Sequence, residues 1–133
     1  MASTHPHFDD KGLRWHTSLA EALAHAKKEH KHVLIEYGRS ACGNCKALVT
    51  AIMPSPAVKK ELDEHFVLLA TDCDKPEEGV RQIGAHHMGK ARSLPFVMYL
   101  NAEGVFVYGT EGARDAHTFQ HDLLHGREHH APH

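Results

Sequence analysis

Val33-Leu34-Ile35-Glu36-Tyr37-Gly38-Arg39-Ser40-Ala41-Cys42-Gly43-Asn44-Cys45-Lys46 is the stretch from which the fold of this 133-residue chain can be read. Its first five residues lack polar alternation, as a parallel strand covered on both faces should. Residues 38–41 form a short link, and residues 46–53 (Lys-Ala-Leu-Val-Thr-Ala-Ile-Met) have helical spacing. The two cysteines therefore fall where a strand hands over to a helix. The first turn of a helix leaves amide N–H groups unpaired and carries partial positive charge, which stabilises a thiolate at Cys42. Cys45 returns to the same face one turn deeper. One sulfur is then exposed and nucleophilic, the other sheltered and resolving. A C-x-x-C can also be half of a zinc site. The remaining candidate ligands, Cys73, His86 and His87, supply neither a second C-x-x-C nor an H-x-x-x-H pair, so no metal site is expected.

Glu36 is the one charged residue in the apolar run, six positions before Cys42. Turned inward, it would be a buried carboxyl whose pKa rises towards neutrality, able to pass a proton to and from Cys45. Turned outward, it would be an ordinary strand-end glutamate. On the inward reading, replacing Glu36 with Gln or Ala should stabilise the protein, since a buried group that resists charge is removed.

Upstream, residues 1–12 are polar and contain Pro6 and Gly12, an irregular lead-in. Leu13-Arg14-Trp15 suits a short edge strand or an apolar plug. Ser18 and Glu21 form a capping-box pair, and Leu19, Ala22, Leu23 and Ala26 mark one face of a first helix. Downstream, Pro54 must bend or end the cysteine helix, and Ser55-Pro56 restarts one through Leu62 as an N-cap with proline at the first position. Residues 66–71 read as a second buried strand. After a turn at 72–75, Pro76 opens a short helix carrying Val80 and Ile83. Cys73 is a packing residue or a regulatory or dimerising thiol. Residues 84–94 have no clean period and read as a loop, residues 96–100 as a strand, 101–104 as a turn, 105–108 as its antiparallel partner and 109–112 as a loop. Asp115 caps a last helix with Ala116, Phe119 and Leu123 inward. Three units follow: the lead-in at 1–12, a domain at 13–125 and a His-rich flexible tail at 126–133.

Hydrophobic content of 41% and charged content of 24% are ordinary for a globular domain. A formal charge of −2 gives no basic patch for nucleic acid. No apolar run reaches membrane-spanning length, and residues 1–8 lack the apolar core of a signal peptide. The chain is expected to be a soluble monomer, cytoplasmic if complete and periplasmic or secreted if a signal peptide was removed. Three cysteines leave one unpaired if Cys42 and Cys45 bond. The fifteen histidines are scattered except in the tail.

Residues 13–124 resemble the thioredoxin-like superfamily, in particular its single-domain thioredoxin-related and disulfide-isomerase-like members. The matching features are the 33–37 strand, Cys42-Gly43-Asn44-Cys45-Lys46, Val67-Leu68-Leu69-Ala70-Thr71-Asp72, Leu94-Pro95-Phe96-Val97 and the Asn101-Ala102-Glu103-Gly104 turn, in that order. The resemblance implies an α/β thioredoxin fold, a central mixed β-sheet flanked by helices on both faces. It implies thiol–disulfide oxidoreductase activity on protein thiols and disulfides, with Cys42 and Cys45 as the redox couple and Glu36 in the place of the family's buried acid. Pro95 stands where the family has a cis-proline that presents backbone to an extended peptide, which makes Leu94, Pro95 and Ala41 the expected substrate contacts. No cofactor is implied beyond an upstream redox partner. Two departures stand out. Ala41 replaces the usual Trp before the first cysteine, which opens the contact zone and passes part of recognition to the loop before Pro95. Asn44 replaces the Pro of reducing members or the His of oxidising ones. The competing readings are a thioredoxin-fold binding module without catalysis and a metal-binding protein using the Cys and His residues.

Overall fold

Side chains alternate across a strand, and in β2 (His32–Gly38) that alternation divides the molecule into two apolar layers. The computed structural model of the protein describes residues 5–128. Five strands form one sheet in the order β1-β3-β2-β4-β5. These are β1 (Trp15–His16), β2, β3 (Phe66–Asp72), β4 (Phe96–Leu100) and β5 (Phe106–Glu111). The β1–β3 and β2–β3 pairs are parallel, and the β2–β4 and β4–β5 pairs antiparallel. On one face Leu34, Leu68, Ala70, Val97 and Tyr99 pack against Val49, Met53, Val58, Leu62, Phe119 and Leu123. On the other, Val33, Ile35, Val67, Leu69, Met98 and Leu100 meet Ala22, Ala26 and Val80. A fully buried Leu, Val or Ile contributes about 1.5–3 kcal/mol, so the two layers are the main source of stability. Glu36 follows Leu34 by two positions and so shares the face covered by the cysteine helix.

Helix α1 (Leu19–Glu29) begins where expected: the Ser18 Oγ accepts the Glu21 N–H at 3.3 Å. It ends at His30, which takes a left-handed conformation with φ 57°. Helix α2 (Gly43–Ala47) is capped by Cys42, carries Cys45 and then widens into a π-helical turn at Leu48–Ile52, closed by the Met53 N–H on the Leu48 carbonyl at 2.9 Å. Proline stands at the start of α3 (Pro56–His65), as expected, but Ser55 does not cap it with its side chain. Its hydroxyl instead donates to the Ile52 carbonyl at 2.6 Å, serving the end of the preceding turn.

Further expectations need correction. Pro76 does not open the fourth helix. Helix α4 (Glu78–His87) starts two residues later, where the Glu77 carboxylate caps it through the Gly79 N–H and also accepts the Leu19 N–H, tying α4 to α1. That helix continues through residues 84–87, read from sequence as loop, because His87 stacks on Phe106 of β5 with centroids 4.1 Å apart. Strand β5 likewise runs through Gly109 to Glu111, because Met98, Val97 and Phe96 extend the pairing to Gly109, Thr110 and Glu111. Helix α5 (Ala116–Glu128) is capped by Asp115, whose Oδ1 accepts the Thr118 N–H at 2.8 Å. Its inward stripe is Phe119, Asp122, Leu123 and Gly126, while Ala116 faces solvent. Gly126 lies against the Tyr99 ring, where a Cβ would fall 2.6 Å from Cγ. The helix therefore passes residue 125 with its packing intact. The last tail histidines, His129, His130 and His133, lie outside the described residues.

The lead-in, from residue 5 on, contains no helix or strand. It nonetheless packs on the sheet, with His5 buried and Phe8 against the core. Among the described residues no helix is long and apolar enough to cross a membrane.

Candidate active site

The link from β2 to α2 sets Cys42 at the helix start with φ −88° and ψ 112°, an extended residue that caps rather than joins the helix. Its Sγ accepts the Cys45 N–H at 3.1 Å, one of the amides a helix N-terminus leaves unpaired. Cys42 is half-buried and Cys45 wholly buried, and both are free thiols. The asymmetry expected from spacing is therefore present: one sulfur can meet a partner and the other faces inward.

Burial pushes the Cys45 thiol well above the ordinary cysteine range. The adjacent Cys42 sulfur and the charge of Glu36 add to this, and a backbone hydrogen bond from Arg39 opposes it. The sign of the consequence is fixed. The folded state keeps the Cys45 proton after the unfolded chain has begun to lose it, so stability falls as pH rises above about 8.5, the ordinary cysteine value. Urea unfolding of the reduced protein from neutral to alkaline pH is expected to show this fall, and Cys45→Ala to flatten it. An unchanged slope in that variant would mean that Cys45 is not desolvated in the fold.

Glu36 is fully buried, so the inward orientation is the one adopted. Its Oε1 lies 2.7 Å from His5 Nε2. Its Oε2 has no hydrogen-bond partner among the described residues. Where that oxygen points follows from Gly38: a Cβ added there would collide with Glu36 Oε2 and lie 2.7 Å from Cys45 Sγ. The free carboxylate oxygen and the buried sulfur thus converge on the space that this glycine leaves empty.

The antiparallel register pairs Tyr37 with Phe96. That places Pro95 level with Gly38, at the cysteine end of the sheet. Pro95 is buried, Leu94 half-buried and Ala41 exposed, and the Leu94–Pro95 peptide bond is cis. The loop leading to it is held by Glu111, whose Oε1 accepts the Arg92 and Ser93 N–H groups at 3.0 and 3.1 Å. The Gly112 N–H donates to the Ser93 and Pro95 carbonyls at 2.8 and 3.1 Å.

Cys73 lies beside this end of the sheet. Its N–H donates to the Gly38 carbonyl at 2.6 Å, and the Arg39 guanidinium donates to its Sγ at 3.2 Å and to Asp74 Oδ1 at 3.1 Å. Donor atoms of Asp72, Cys73 and Asp74 lie within 4.8 Å of one another. Arg39 already supplies the cation there. His86 and His87 are not in that group; they pack edge to face on each other, 4.5 Å between centroids.

A family model described as thioredoxin-like matches residues 14–102. The chain belongs to the thioredoxin-like family. Among solved structures, it is similar to a proposed disulphide isomerase from Bacteroides thetaiotaomicron, with 25% identity over 97% of this chain and 100% of that one and a TM-score of 0.70. A thioredoxin from Thermus thermophilus is 24% identical over 84% of each chain, with a TM-score of 0.67. A DsbH oxidoreductase is 20% identical over 96% of this chain and 87% of that one, with a TM-score of 0.65. No curated protein matches the chain significantly. The last two likenesses bear on the fold alone. In this thioredoxin-like chain the strand–helix junction with Cys42 and Cys45 and the loop at Leu94-Pro95 lie within the family match. His5, by contrast, lies outside it, and so does Glu111. Neither belongs to a motif, and nothing in their sequence spacing marks them as parts of the site.

Proposed function

We propose that this thioredoxin-like protein exchanges thiols and disulfides with protein substrates through Cys42 and Cys45. The observation that carries the reading is the half-buried sulfur at the start of α2 above a buried one, with a buried carboxylate oxygen converging on the second. Cys42 thiolate attacks a substrate disulfide, forming a Cys42–substrate bond and releasing the other substrate sulfur as a thiolate. The Cys45 S–H proton passes to Glu36 Oε2. The resulting Cys45 thiolate attacks Cys42 Sγ, closing the Cys42–Cys45 disulfide and expelling the second substrate sulfur with its electron pair. The reverse sequence oxidises a substrate dithiol. The couple's reduction potential sets the direction and separates a reductase from an isomerase, since Asn44 matches neither spacer preference. Equilibration with glutathione redox buffers, followed by peptide mapping, should give one intramolecular Cys42–Cys45 disulfide. A chain that forms no such bond under oxidising conditions is not an oxidoreductase of this kind.

Exposed Ala41 and the Glu111-braced loop support a substrate contact zone formed by Ala41, Leu94 and Pro95. Replacing Glu111 with Ala frees the Arg92 and Ser93 amides. It is expected to raise KM for a protein disulfide several-fold while leaving a small-molecule disulfide nearly unaffected. Equal effects on both substrates would remove the loop from recognition.

A further inference from the structure

His5 stands well outside the cysteine motif, yet its side chain is fully buried against Glu36. Its ring is enclosed by Trp15, 5.0 Å away edge to face, by Phe8, stacked at 5.1 Å, and by His7, edge to face at 4.8 Å. The two ring nitrogens have different partners. Nδ1 faces the His7 and Phe8 backbone N–H groups, each 3.3 Å away, and accepts from both. A nitrogen that accepts carries no proton, so the ring hydrogen belongs on Nε2 and points at Glu36 Oε1, 2.7 Å away. A doubly protonated ring would set an Nδ1–H against two donors.

We infer that His5 is a positioning residue for the exchange reaction: the lead-in folds over the sheet so that the His5 Nε2–H holds Glu36 Oε1 and leaves Oε2 as the free acceptor for the Cys45 proton. This rests on the thiol–disulfide reading of Cys42 and Cys45. A donor aimed at a carboxylate favours its ionised form, which is the form that can take a proton. The enclosed Nδ1 gives His5 no route to relay that proton, so its part is to fix and hold the acceptor. Among the described residues, Cys45 of α2 and His5 and His7 of the lead-in are titratable groups that interact with Glu36, and Asp72 at the end of β3 reaches His7. The sheet neighbours of Glu36, Ala70 and Val97, carry no charge. Burial holds His7 below the ordinary histidine range, so His7 adds little positive charge near neutral pH.

The test compares His5→Phe, which fills the ring space without a donor, with His5→Gln, which restores one. A mixed disulfide preformed on Cys42 is followed as Cys45 resolves it over a range of pH. Losing the donor lets the carboxylate take up a proton at higher pH, where Oε2 can no longer accept one. The acid limb in His5→Phe should therefore move up by about one pH unit, about tenfold in rate along the limb, and His5→Gln should bring it back. In a Glu36→Gln background His5→Phe should shift nothing further. A second readout needs no activity: the 13C resonance of the Glu36 carboxyl, titrated in both His5 variants. If its midpoint is the same in His5→Phe as in the natural chain, the inference is overturned, whether or not the protein exchanges disulfides. A moved midpoint in a chain that exchanges nothing would uphold His5 and discard the functional reading. Should His5→Phe not fold, the 15N ring shifts of His5 in the unaltered protein decide. The neutral ring should carry its hydrogen on Nε2, and an Nδ1–H tautomer would overturn the assignment.

Discussion

Cys42→Ser is expected to reduce insulin-type disulfide reduction to the uncatalysed background, whereas Cys45→Ser should accumulate stable mixed disulfides joined through Cys42. The two outcomes differ because the sulfurs occupy different surroundings. Cys42 is half-buried at the first turn of α2, so a substrate sulfur can reach it. Cys45 is wholly buried and cannot start an exchange. It can reach only a sulfur already bonded to its neighbour, and without it the mixed disulfide has no internal route to resolution. Cys73 is the control. Its sulfur is held by Arg39 at the end of β3, and Cys73→Ser should leave trapping by the Cys45 variant unchanged. Mass spectrometry of the trapped species gives the answer. Adducts on Cys73, or none on Cys42, would reverse the assignment of the nucleophile.

The placement of the two sulfurs was legible from sequence because it depends on local periodicity. A continuous apolar strand followed by a helix places Cys42 at the helix start and Cys45 one turn inside, whatever the rest of the chain does. Glu36 was legible for the same reason, since strand alternation puts it on the Leu34 face. Features set by contacts distant in sequence were not. The extension of α4 through His87 depends on Phe106, and that of β5 through Glu111 on its pairing with Phe96, neither of which leaves a periodic mark. Ser55 carried a sound capping signal, but the widened turn before it offered the Ile52 carbonyl as a nearer partner. Glu77 shows the opposite case: a glutamate is a poor N-cap by preference, yet it caps α4 because the Leu19 N–H fixes its carboxylate from α1. His5 was the largest omission. A polar lead-in with a proline reads as irregular, and irregular it is, but it is anchored on the sheet by the buried His5–Glu36 bond and by Phe8 against the core.

That bond changes what Glu36 substitutions should do. From sequence alone, Glu36→Gln and Glu36→Ala both remove a buried group that resists charge, and both should stabilise. With His5 in place the two variants separate. Gln keeps a carbonyl oxygen where Oε1 accepts from His5 and removes the charge, so it should gain about 1–3 kcal/mol at neutral pH from the relieved desolvation. Ala removes the same charge but leaves a cavity and a buried His5 Nε2–H with nothing to accept it, a cost of about 1–3 kcal/mol for the lost partner alone. Ala should therefore unfold at lower denaturant than Gln, with little or no net gain over the natural residue. Resolution of the Cys42 mixed disulfide should slow in both, because neither side chain can take the Cys45 proton at Oε2. Urea titrations of the reduced proteins and single-turnover resolution rates check the two halves separately. Equal stability of Gln and Ala would mean the His5–Glu36 bond contributes nothing to the fold. Undiminished resolution in both would mean that the Cys45 proton leaves by another route, and the dithiol couple would stand without its buried acid.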